Sequence, residues 1–364
     1  MPENEQPNKN KYKEVGVTVS GNSSPLRVVQ WATGTVGLHA MRAVIDHPGL
    51  ELVGVRVYSE AKVGKDAGEL CGYPPTGVRA TRSIDEIIAL QPDCVIYMPE
   101  SSNLDDVCRL LENGINISST RIEFFNPAMI APSDRERIEA ACRQGGSSVH
   151  STGSSPGFIT EALPFVLTSL SRRLDFLGID EYADCLAGCS EQMLTELMGF
   201  GDTPEAFSGR QNPEHVVFEY SMGQFADAIG MPVDYFETTV EAAYCKQDTA
   251  LHKSTIAAGS VGAQRIAITG MREGKPFIRF RSNWFVTMDV EPAWDLQNDG
   301  WKVSVQGDTP MELTINLPMP VEESIRASAR YTAHRPVNVI PLLCAAEPGF
   351  VTSDKLSGVL ARLG

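Results

Sequence analysis

The stretch WATGTVG at residues 31–37 constrains the fold of this chain more than any other feature. It follows the fingerprint G-x-G-x-x-G, with Ala32, Gly34 and Gly37 at the three glycine positions. The apolar run LRVVQWA precedes the turn, a helical pattern follows it in LHAMRAVIDHP, and LELVGVRVY has the pattern of a second strand. A strand, a tight turn, a helix and a strand within about thirty residues form the context in which this fingerprint binds a dinucleotide. The stretch therefore predicts a Rossmann-type parallel sheet.

Each glycine position of this turn has its own physical task. Gly34 lets the backbone approach a pyrophosphate closely, and Gly37 lets the helix pack against the strand. Ala32 is the smallest replacement for the first glycine. We expect the dinucleotide to contact the whole turn, namely Ala32, Thr33, Gly34, Thr35, Val36 and Gly37. The alternative is an ordinary strand–helix turn that carries its glycines by chance.

The end of the second strand indicates which dinucleotide is bound. An acidic residue there binds the ribose hydroxyls of NAD, whereas a hydroxyl and a cation suit the 2′-phosphate of NADP. Ser59 occupies the usual acidic position, and Lys62 and Arg56 are nearby cations. We therefore predict NADP as the cofactor, with Ser59 and Lys62 as contacts. NAD stays possible, because Glu60 would reach the ribose if the strand ended one residue later.

Strand and helix patterns alternate up to residue 152 and predict a parallel sheet that is covered on both faces. Ser83 with Glu86, and Ser133 with Glu136, have the spacing of capping boxes at helix starts. The expected strands after the second one are CVIYM at 94–98, INISS at 115–119 and SSVHST at 147–152.

The pattern changes after GSSPGF at residues 153–158. We expect a helix in ITEALPFVLTSLSRRL, two more helical stretches at about 190–200 and 214–229, and from residue 233 an antiparallel meander. Arg272–Lys275 is predicted as a hairpin turn within that meander. The fold class is thus α/β, a Rossmann-type domain plus an α+β domain with an antiparallel sheet. The predicted division is a flexible polar tail at 1–24, a dinucleotide domain at 25–155, to which 336–364 returns, and a substrate and dimerisation domain at 156–335.

Composition excludes several classes of protein. A net charge of −15 argues against nucleic acid and anionic membranes as partners. The eight cysteines are scattered, and Cys185 and Cys189 have no histidine cluster beside them, so we expect reduced thiols in a cytoplasmic protein and no metal site. No stretch approaches the ~20 apolar residues of a membrane span.

Two glutamates follow parallel strands at the edge where ligands bind, Glu100 in YMPESS and Glu123 in STRIEFFNP. Ile122, Phe124 and Phe125 surround Glu123, and an apolar environment favours a protonated carboxyl group, as a general acid working near neutral pH requires. The loop around Glu100 is expected instead to contact the cofactor through its backbone, at Pro99 and Ser101. His150 and His334 lie near the expected domain junction, where a structural role is the commoner one.

Five spaced segments resemble the 2,4-diaminopentanoate dehydrogenase family, which includes the native amine dehydrogenases and has an N-terminal domain similar to that of dihydrodipicolinate reductase. The resemblance runs from about residue 26 to the C-terminus. Its segments are VVQWATGTVG, KVGKDAGELCG, STRIEFFNP, STGSSPGFITEALPFVLT and RPVNVIPLLCAAEPGFVT.

The resemblance implies an NAD(P)-dependent enzyme that interconverts an amine with a ketone or aldehyde and ammonia. We expect one face of the antiparallel sheet to cover the cleft and the other to carry enough aromatic and aliphatic residues to need a partner, and the resemblance implies a homodimer built there. The resemblance also selects Glu123 as the catalytic residue, with Thr120 beside the cofactor. The pocket is expected to include Ser154, Phe158, Thr160 and Asn338. No clear carboxylate-binding arginine stands out in the substrate domain, since the candidates Arg210 and Arg265 are equally explained as surface charges, and this favours a substrate without a carboxylate. Two alternatives stay open, another C=N or C=O reductase on the same scaffold and a non-catalytic NADP sensor.

Overall fold

The computed structural model describes residues 24–208, 216–318 and 321–356. The predicted tail lies outside these ranges except for residue 24, as do Arg210 and the last eight residues of the segment 336–364. Within the described ranges the chain forms two sheets of seven strands each and a small two-stranded sheet.

The first sheet is entirely parallel, as the alternating pattern predicts. It begins with β1 (Leu26–Trp31), β2 (Leu50–Arg56), β3 (Ala80–Thr81), β4 (Cys94–Tyr97), β5 (Asn116–Ser119) and β6 (Ser148–Ser151). In space, β1 lies between β2 and β4, and the order continues through β5 to β6. A short strand near the C-terminus, Gly349–Phe350, pairs with β6 as the seventh member.

Helices cover both faces of this sheet and bury two apolar clusters. They are α1 (Thr35–Asp46), α2 (Ala67–Cys71), α3 (Ile84–Ala89), α4 (Leu104–Glu112) and α5 (Pro132–Gly145). The capping box at α3 is confirmed at its serine, since the Ser83 hydroxyl accepts from the Glu86 N–H at 3.2 Å. The box at Ser133 is wrong: α5 begins at Pro132, because a proline suits the first helical position, and Ala131 precedes it without a side-chain cap.

The second sheet carries most of the strands after residue 170. They are β7 (Leu174–Asp184), β8 (Tyr235–Cys245), β11 (Val261–Arg272), β12 (Lys275–Phe285), β13 (Val290–Glu291), β14 (Gly300–Gly307) and β15 (Met311–Asn316), while β9 (Thr249–Ala250) and β10 (Thr255–Ile256) form the small sheet; the C-terminal strand Gly349–Phe350 is β16. The hairpin between β11 and β12 is confirmed, with Glu273 and Gly274 both in the left-handed region at φ +52° and +71°.

Strand β7 was not expected, and it makes the second sheet mixed rather than purely antiparallel. It lies between β12, to which it is parallel, and β14, to which it is antiparallel. Its inward side chains alternate as in a strand, with Leu177 and Ile179 fully buried. The helical pattern of the preceding segment ends earlier than predicted, because Ser171, Arg172 and Arg173 leave the helix and lead into β7.

Helices fill the space over the inner face of the second sheet. A wide, kinked helical turn at Ser154–Ala162 leads into α6 (Leu163–Thr168), and α7 (Cys185–Gly188), α8 (Pro204–Ser208) and α9 (Val216–Ala228) follow. The helix expected at 190–200 is only a short turn at Met193–Leu197. The aromatic rings of Phe165 and Phe225 meet at 5.1 Å inside this core. Finally, α10 (Val321–Asn338) and α11 (Ile340–Cys344) return the chain to the first sheet, where Val337 shares a cluster with Met41.

The outer face of the second sheet is polar. Arg265, Arg279 and Arg281 project from neighbouring strands there, together with Asp180 and Glu241. The sequence analysis expected aromatic and aliphatic residues on this face, and that expectation is wrong. Large apolar side chains of these strands, such as Phe280, point to the inner face, where the helices cover them.

Candidate active site

The turn after β1 has the geometry of a phosphate-binding turn. Gly34 is exposed at the start of α1, and a Cβ there would meet nothing within 4 Å. A Cβ at Gly37 would lie 2.4 Å from the Ala32 carbonyl oxygen, so close packing of helix and strand requires glycine. Ala32 itself is in the left-handed region at φ +75°, which favours glycine. No neighbour in the part of the chain that the structure describes explains the glycine at position 34, whereas a ligand that approaches the backbone would.

Lys62 lies over this turn. Its Nζ donates to the Thr33 carbonyl at 3.1 Å and to the Thr33 hydroxyl at 2.9 Å. Thr35 is exposed at the first turn of α1, and Val36 packs partly against the first core. A cation and an open helix N-terminus thus lie side by side, as an anionic group requires.

The end of β2 carries an arginine without an anionic partner. The Arg56 guanidinium lies 4.0 Å from the Tyr58 ring centre and 4.9 Å from that of Trp31. Its Nε and Nη1 atoms are buried and have no hydrogen-bond partner among the described residues. Ser59 is exposed nearby. Glu60, on which NAD binding would depend, pairs with Arg82 at 2.5 Å.

Glu123 is held at one oxygen only. It lies in a short helical turn, Ile122–Phe124, that follows β5. The Ser102 hydroxyl donates to its Oε1, and Arg121 contacts the same oxygen through Nε at 3.2 Å and Nη2 at 3.1 Å. Its Oε2 is shielded from solvent and has no hydrogen-bond partner among the described residues.

The surroundings of Glu123 differ from those that the sequence indicated. The side chain of Ile122 is exposed, while Phe124 and Phe125 are buried. Arg121 also donates from Nη1 to the Glu100 carbonyl at 2.6 Å, which ties the loops after β4 and β5 together. Glu100 has an exposed side chain, as the prediction of a backbone role requires. In the same loops, Pro99 is buried, Ser101 is exposed and Thr120 is partly buried.

The predicted pocket residues fall into different environments. Ser154 contacts the Thr332 hydroxyl of α10 at 2.7 Å, and the Phe158 ring lies 6.0 Å from the Arg335 guanidinium, so both lie where the two sheets meet. Thr160 is fully buried and contacts the Ser221 hydroxyl at 2.5 Å. Asn338 is exposed at the end of α10. The structure thus brings Ser154 and Phe158 to one junction and leaves Thr160 inside the core.

Glu161 and Arg335 are two charged residues of this junction that the sequence analysis missed. Glu161 is buried, and its two oxygens accept from the hydroxyls of Ser221 and Ser353. Burial raises the pKa of Glu161 to about 7, although both hydroxyls and the charge of Arg335 oppose the shift. Arg335 donates to the Thr152 hydroxyl at 2.8 Å. The signal for Glu161 was a single acid inside the apolar run FITEALPF.

The two histidines near the junction have structural positions. Burial lowers the pKa of His150 to about 4, and its Nδ1–H donates to the Val351 carbonyl at 2.6 Å. His334 is exposed on α10. The eight cysteines are free thiols. Over the described ranges no group of three or more metal-binding side chains comes together, and no helix is long and apolar enough to cross a membrane.

Fold and site define a two-domain oxidoreductase of the pyridine-nucleotide-dependent type, in which residues 28–116 match the N-terminal domain of dihydrodipicolinate reductase. Residues 162–363, more than half of the chain, match the C-terminal domain of 2,4-diaminopentanoate dehydrogenase. The chain therefore belongs to the 2,4-diaminopentanoate dehydrogenase family, and the resemblance that its sequence motifs indicate is confirmed.

Individual relatives agree with this assignment. An amine dehydrogenase of Streptomyces virginiae is 29% identical over 356 residues, which cover 93% of this chain and 99% of that protein. A 2,4-diaminopentanoate dehydrogenase of Acetoanaerobium sticklandii is 26% identical over 56% of this chain and 60% of its own length. The solved structure of an amine dehydrogenase from Mycobacterium smegmatis has the same fold, with a TM-score of 0.69 and 21% identity over 94% of this chain and 97% of that one.

Proposed function

We propose that the protein is an NAD(P)-dependent amine dehydrogenase, which oxidatively deaminates an amine and, in reverse, reductively aminates a ketone or aldehyde with ammonia. The observation that carries this proposal is the state of Glu123. One oxygen is positioned by Ser102 and Arg121, and the other is buried and has no hydrogen-bond partner within the described ranges. Buried polar atoms in folded proteins nearly always have a hydrogen-bond partner. A bound amine that donates a proton to Oε2 would be that partner.

The residues of the first domain fit a pyridine dinucleotide. The open space at Gly34, the exposed N-terminus of α1 and the cation of Lys62 suit a pyrophosphate. Pro99, Ser101 and Thr120 border the same edge of the sheet, after β4 and β5. When bound, the dinucleotide supplies or accepts the hydride.

NADP is the preferred form in this proposal. Arg56, at the end of β2, is a cation without an anionic partner in the described part of the chain, and Ser59 and Lys62 follow it. Glu60, the candidate for NAD ribose, already pairs with Arg82. Titration calorimetry with NADP and with NAD tests the preference. We expect at least about tenfold tighter NADP binding, and NAD binding tighter by that factor, ~1.4 kcal/mol, would contradict it.

Whereas the dinucleotide carries the hydride, the protein's own chemical task in this proposal is proton transfer by Glu123. In reductive amination, its Oε2 would accept a proton as ammonia adds to the carbonyl carbon and return one as water leaves. Arg121 and Ser102 keep the carboxylate in position during both steps. Ser154 and Phe158 would shape the pocket beside it, and exclusion of water would protect the iminium from hydrolysis.

An NADPH oxidation assay tests the function directly. A panel of aliphatic ketones and aldehydes is offered with and without ammonium chloride, and potassium chloride controls for ionic strength. We expect turnover only where carbonyl and ammonium are both present. Ammonium-independent turnover would favour the alternative reductase, and NADPH binding without any turnover would favour the sensor.

The remaining proposals concern the protein as a whole. Residues 25–155 form the dinucleotide domain together with 336–364, and residues 156–335 form the substrate and dimerisation domain. Free cysteines suit a reducing compartment, and we place the enzyme in the cytoplasm on that ground. A homodimer through the outer face of the second sheet is the proposed assembly.

A further inference from the structure

A second carboxylate, Glu181, lies near the end of β7 on the inner face of the second sheet. Its Oε2 accepts from the Trp301 indole N–H at 2.8 Å, and its Oε1 accepts from the Trp284 indole N–H at 3.3 Å. Leu177 and Ile179, which precede it on the same face, are fully buried, whereas Glu181 is partly exposed. The apolar inner face therefore ends in a polar position that two aromatic side chains hold in place.

This position lies at the junction of the two domains. The Ser155 hydroxyl, in the turn after β6, lies beside the Glu181 carboxylate. The Tyr331 ring of α10 meets the Trp301 ring edge-on at 5.7 Å. Because β5 and β6 are neighbours in the parallel sheet, the loops that carry Glu123 and Ser155 leave the same sheet edge side by side. Through Ser155, Glu181 thus lies against the sheet edge from which the loop with Glu123 also leaves.

The two carboxylates differ in how their charges are balanced. Glu123 has the Arg121 guanidinium beside it. Glu181, in contrast, has no ion pair with a lysine, arginine or histidine of the described ranges, and the groups beside its carboxylate are neutral, namely two indole N–H donors and the Ser155 hydroxyl. Such donors orient a carboxylate without neutralising it. Burial raises the pKa of Glu181, and the charge of Asp299 reinforces the shift, while the Ser155 hydroxyl and the two indole N–H groups oppose it.

We propose that Glu181, with Trp284 and Trp301, binds the primary ammonium group of the amine substrate. This inference rests on the proposed function and adds the subsite that recognises the nitrogen. A carboxylate and an ammonium group form a charge-assisted hydrogen bond, and the two indole N–H groups hold the carboxylate in place for it. The free ammonium ion has the same chemistry and would occupy the subsite in the reductive direction. Glu181 holds the nitrogen, and Glu123 accepts the proton that the ammonium ion must lose before its lone pair can form the bond to the carbonyl carbon.

Binding without turnover is the first test. The thermal unfolding midpoint of the cofactor-free enzyme is measured with sec-butylammonium chloride, ammonium chloride, potassium chloride and the neutral analogue 2-butanol. We expect the two ammonium salts to stabilise the wild type, and potassium chloride and 2-butanol to stabilise it much less. Glu181→Gln should lose this response. Glu237→Gln, which removes an exposed carboxylate from β8 of the same sheet, should keep it.

Kinetics provide a second readout. In reductive amination, Glu181→Gln should raise the KM for ammonium by about ten- to hundredfold, the range for a hydrogen bond to a charged group, while kcat and the KM for NADPH change little. If Glu181→Gln does not fold, Trp301→Phe is used, because it removes one N–H donor and keeps an aromatic ring. It should raise the same KM in the same direction.

The outcomes separate this inference from the proposed function. Turnover of carbonyl and ammonium by a wild type that neither ammonium salt stabilises would overturn the subsite and leave the function intact. An unchanged response in folded Glu181→Gln, or in Trp301→Phe where the first variant fails to fold, would overturn it as well. Stabilisation that depends on Glu181 in a protein without amine turnover would support the subsite and refute the proposed function.

Discussion

At the scale of single residues, Gly34 and Gly37 form a matched pair in one turn. Gly34→Ala should leave the unfolding midpoint nearly unchanged, because its Cβ would project into open space, and should weaken NADP binding. Gly37→Ala should destabilise the fold by about 1–3 kcal/mol, because its Cβ would lie 2.4 Å from the Ala32 carbonyl oxygen. Thermal unfolding and NADP titration of both variants check the pair. Equal NADP affinity in folded Gly34→Ala and wild type would argue against the phosphate-binding role.

Glu123 is the residue on which we expect kcat to depend most strongly. Glu123→Gln keeps the shape of the side chain and removes its ability to move a proton, so kcat should fall by ~10²–10⁴-fold with NADP affinity little changed. Glu100→Gln serves as the control, because its exposed side chain follows the neighbouring strand. If Glu123→Gln keeps more than about a third of the wild-type kcat, another group carries the proton.

At the scale of elements, Glu161 connects the turn Ser154–Ala162 to two other segments. Its carboxyl group accepts hydrogen bonds from Ser221 of α9 and from Ser353 near the C-terminus. Its carboxyl group has a pKa of about 7 against an ordinary 4.5, so the folded state holds the proton more tightly than the unfolded state does. The free energy of unfolding should therefore fall as pH rises from about 4.5 to about 7, by about 3 kcal/mol, and stay level above that range. Arg335 opposes and Asp354 reinforces the shift. Urea unfolding at several pH values should show this loss in the wild type and not in Glu161→Gln, and parallel profiles would contradict it.

At the scale of the whole molecule, the outer face of the second sheet is the expected dimer contact. Burial lowers the pKa of both Arg265 and Arg279, and the Arg279 Nε lacks a partner among the described residues. Light scattering should give twice the chain mass of 39.6 kDa. Ala267→Trp places a bulky side chain in the middle of this face and should give the monomer mass. Ala140→Trp, on the exposed side of α5, should remain dimeric, and a monomeric wild type at micromolar concentration would refute the assembly.

Local patterns in the sequence were sufficient for much of the fold. The strand, turn and helix around Gly34 and the hairpin at Glu273 depend on residues a few positions apart, and their backbone preferences are visible in the sequence itself. The same holds for the position of Glu123 directly after a buried strand. Strand β7, 11 residues long, was missed because a helical pattern leads directly into it, and the Ser133 cap failed because Pro132 starts the helix.

Only the tertiary structure decided what surrounds the functional side chains. Sequence neighbours indicated an apolar setting for Glu123, yet its contacts are Arg121 and Ser102, the latter brought in from the loop after β4. Lys62 reaches Thr33 across 29 positions, and Ser353 reaches Glu161 across 192. The periodicity of apolar residues predicts which face of a helix or strand is buried. The burial and ion pairing of a single carboxylate depend instead on residues far away in the sequence, which the fold brings beside it. For that reason the sequence determined the scaffold and the position of Glu123, and the folded chain determined which charged groups are paired with one another.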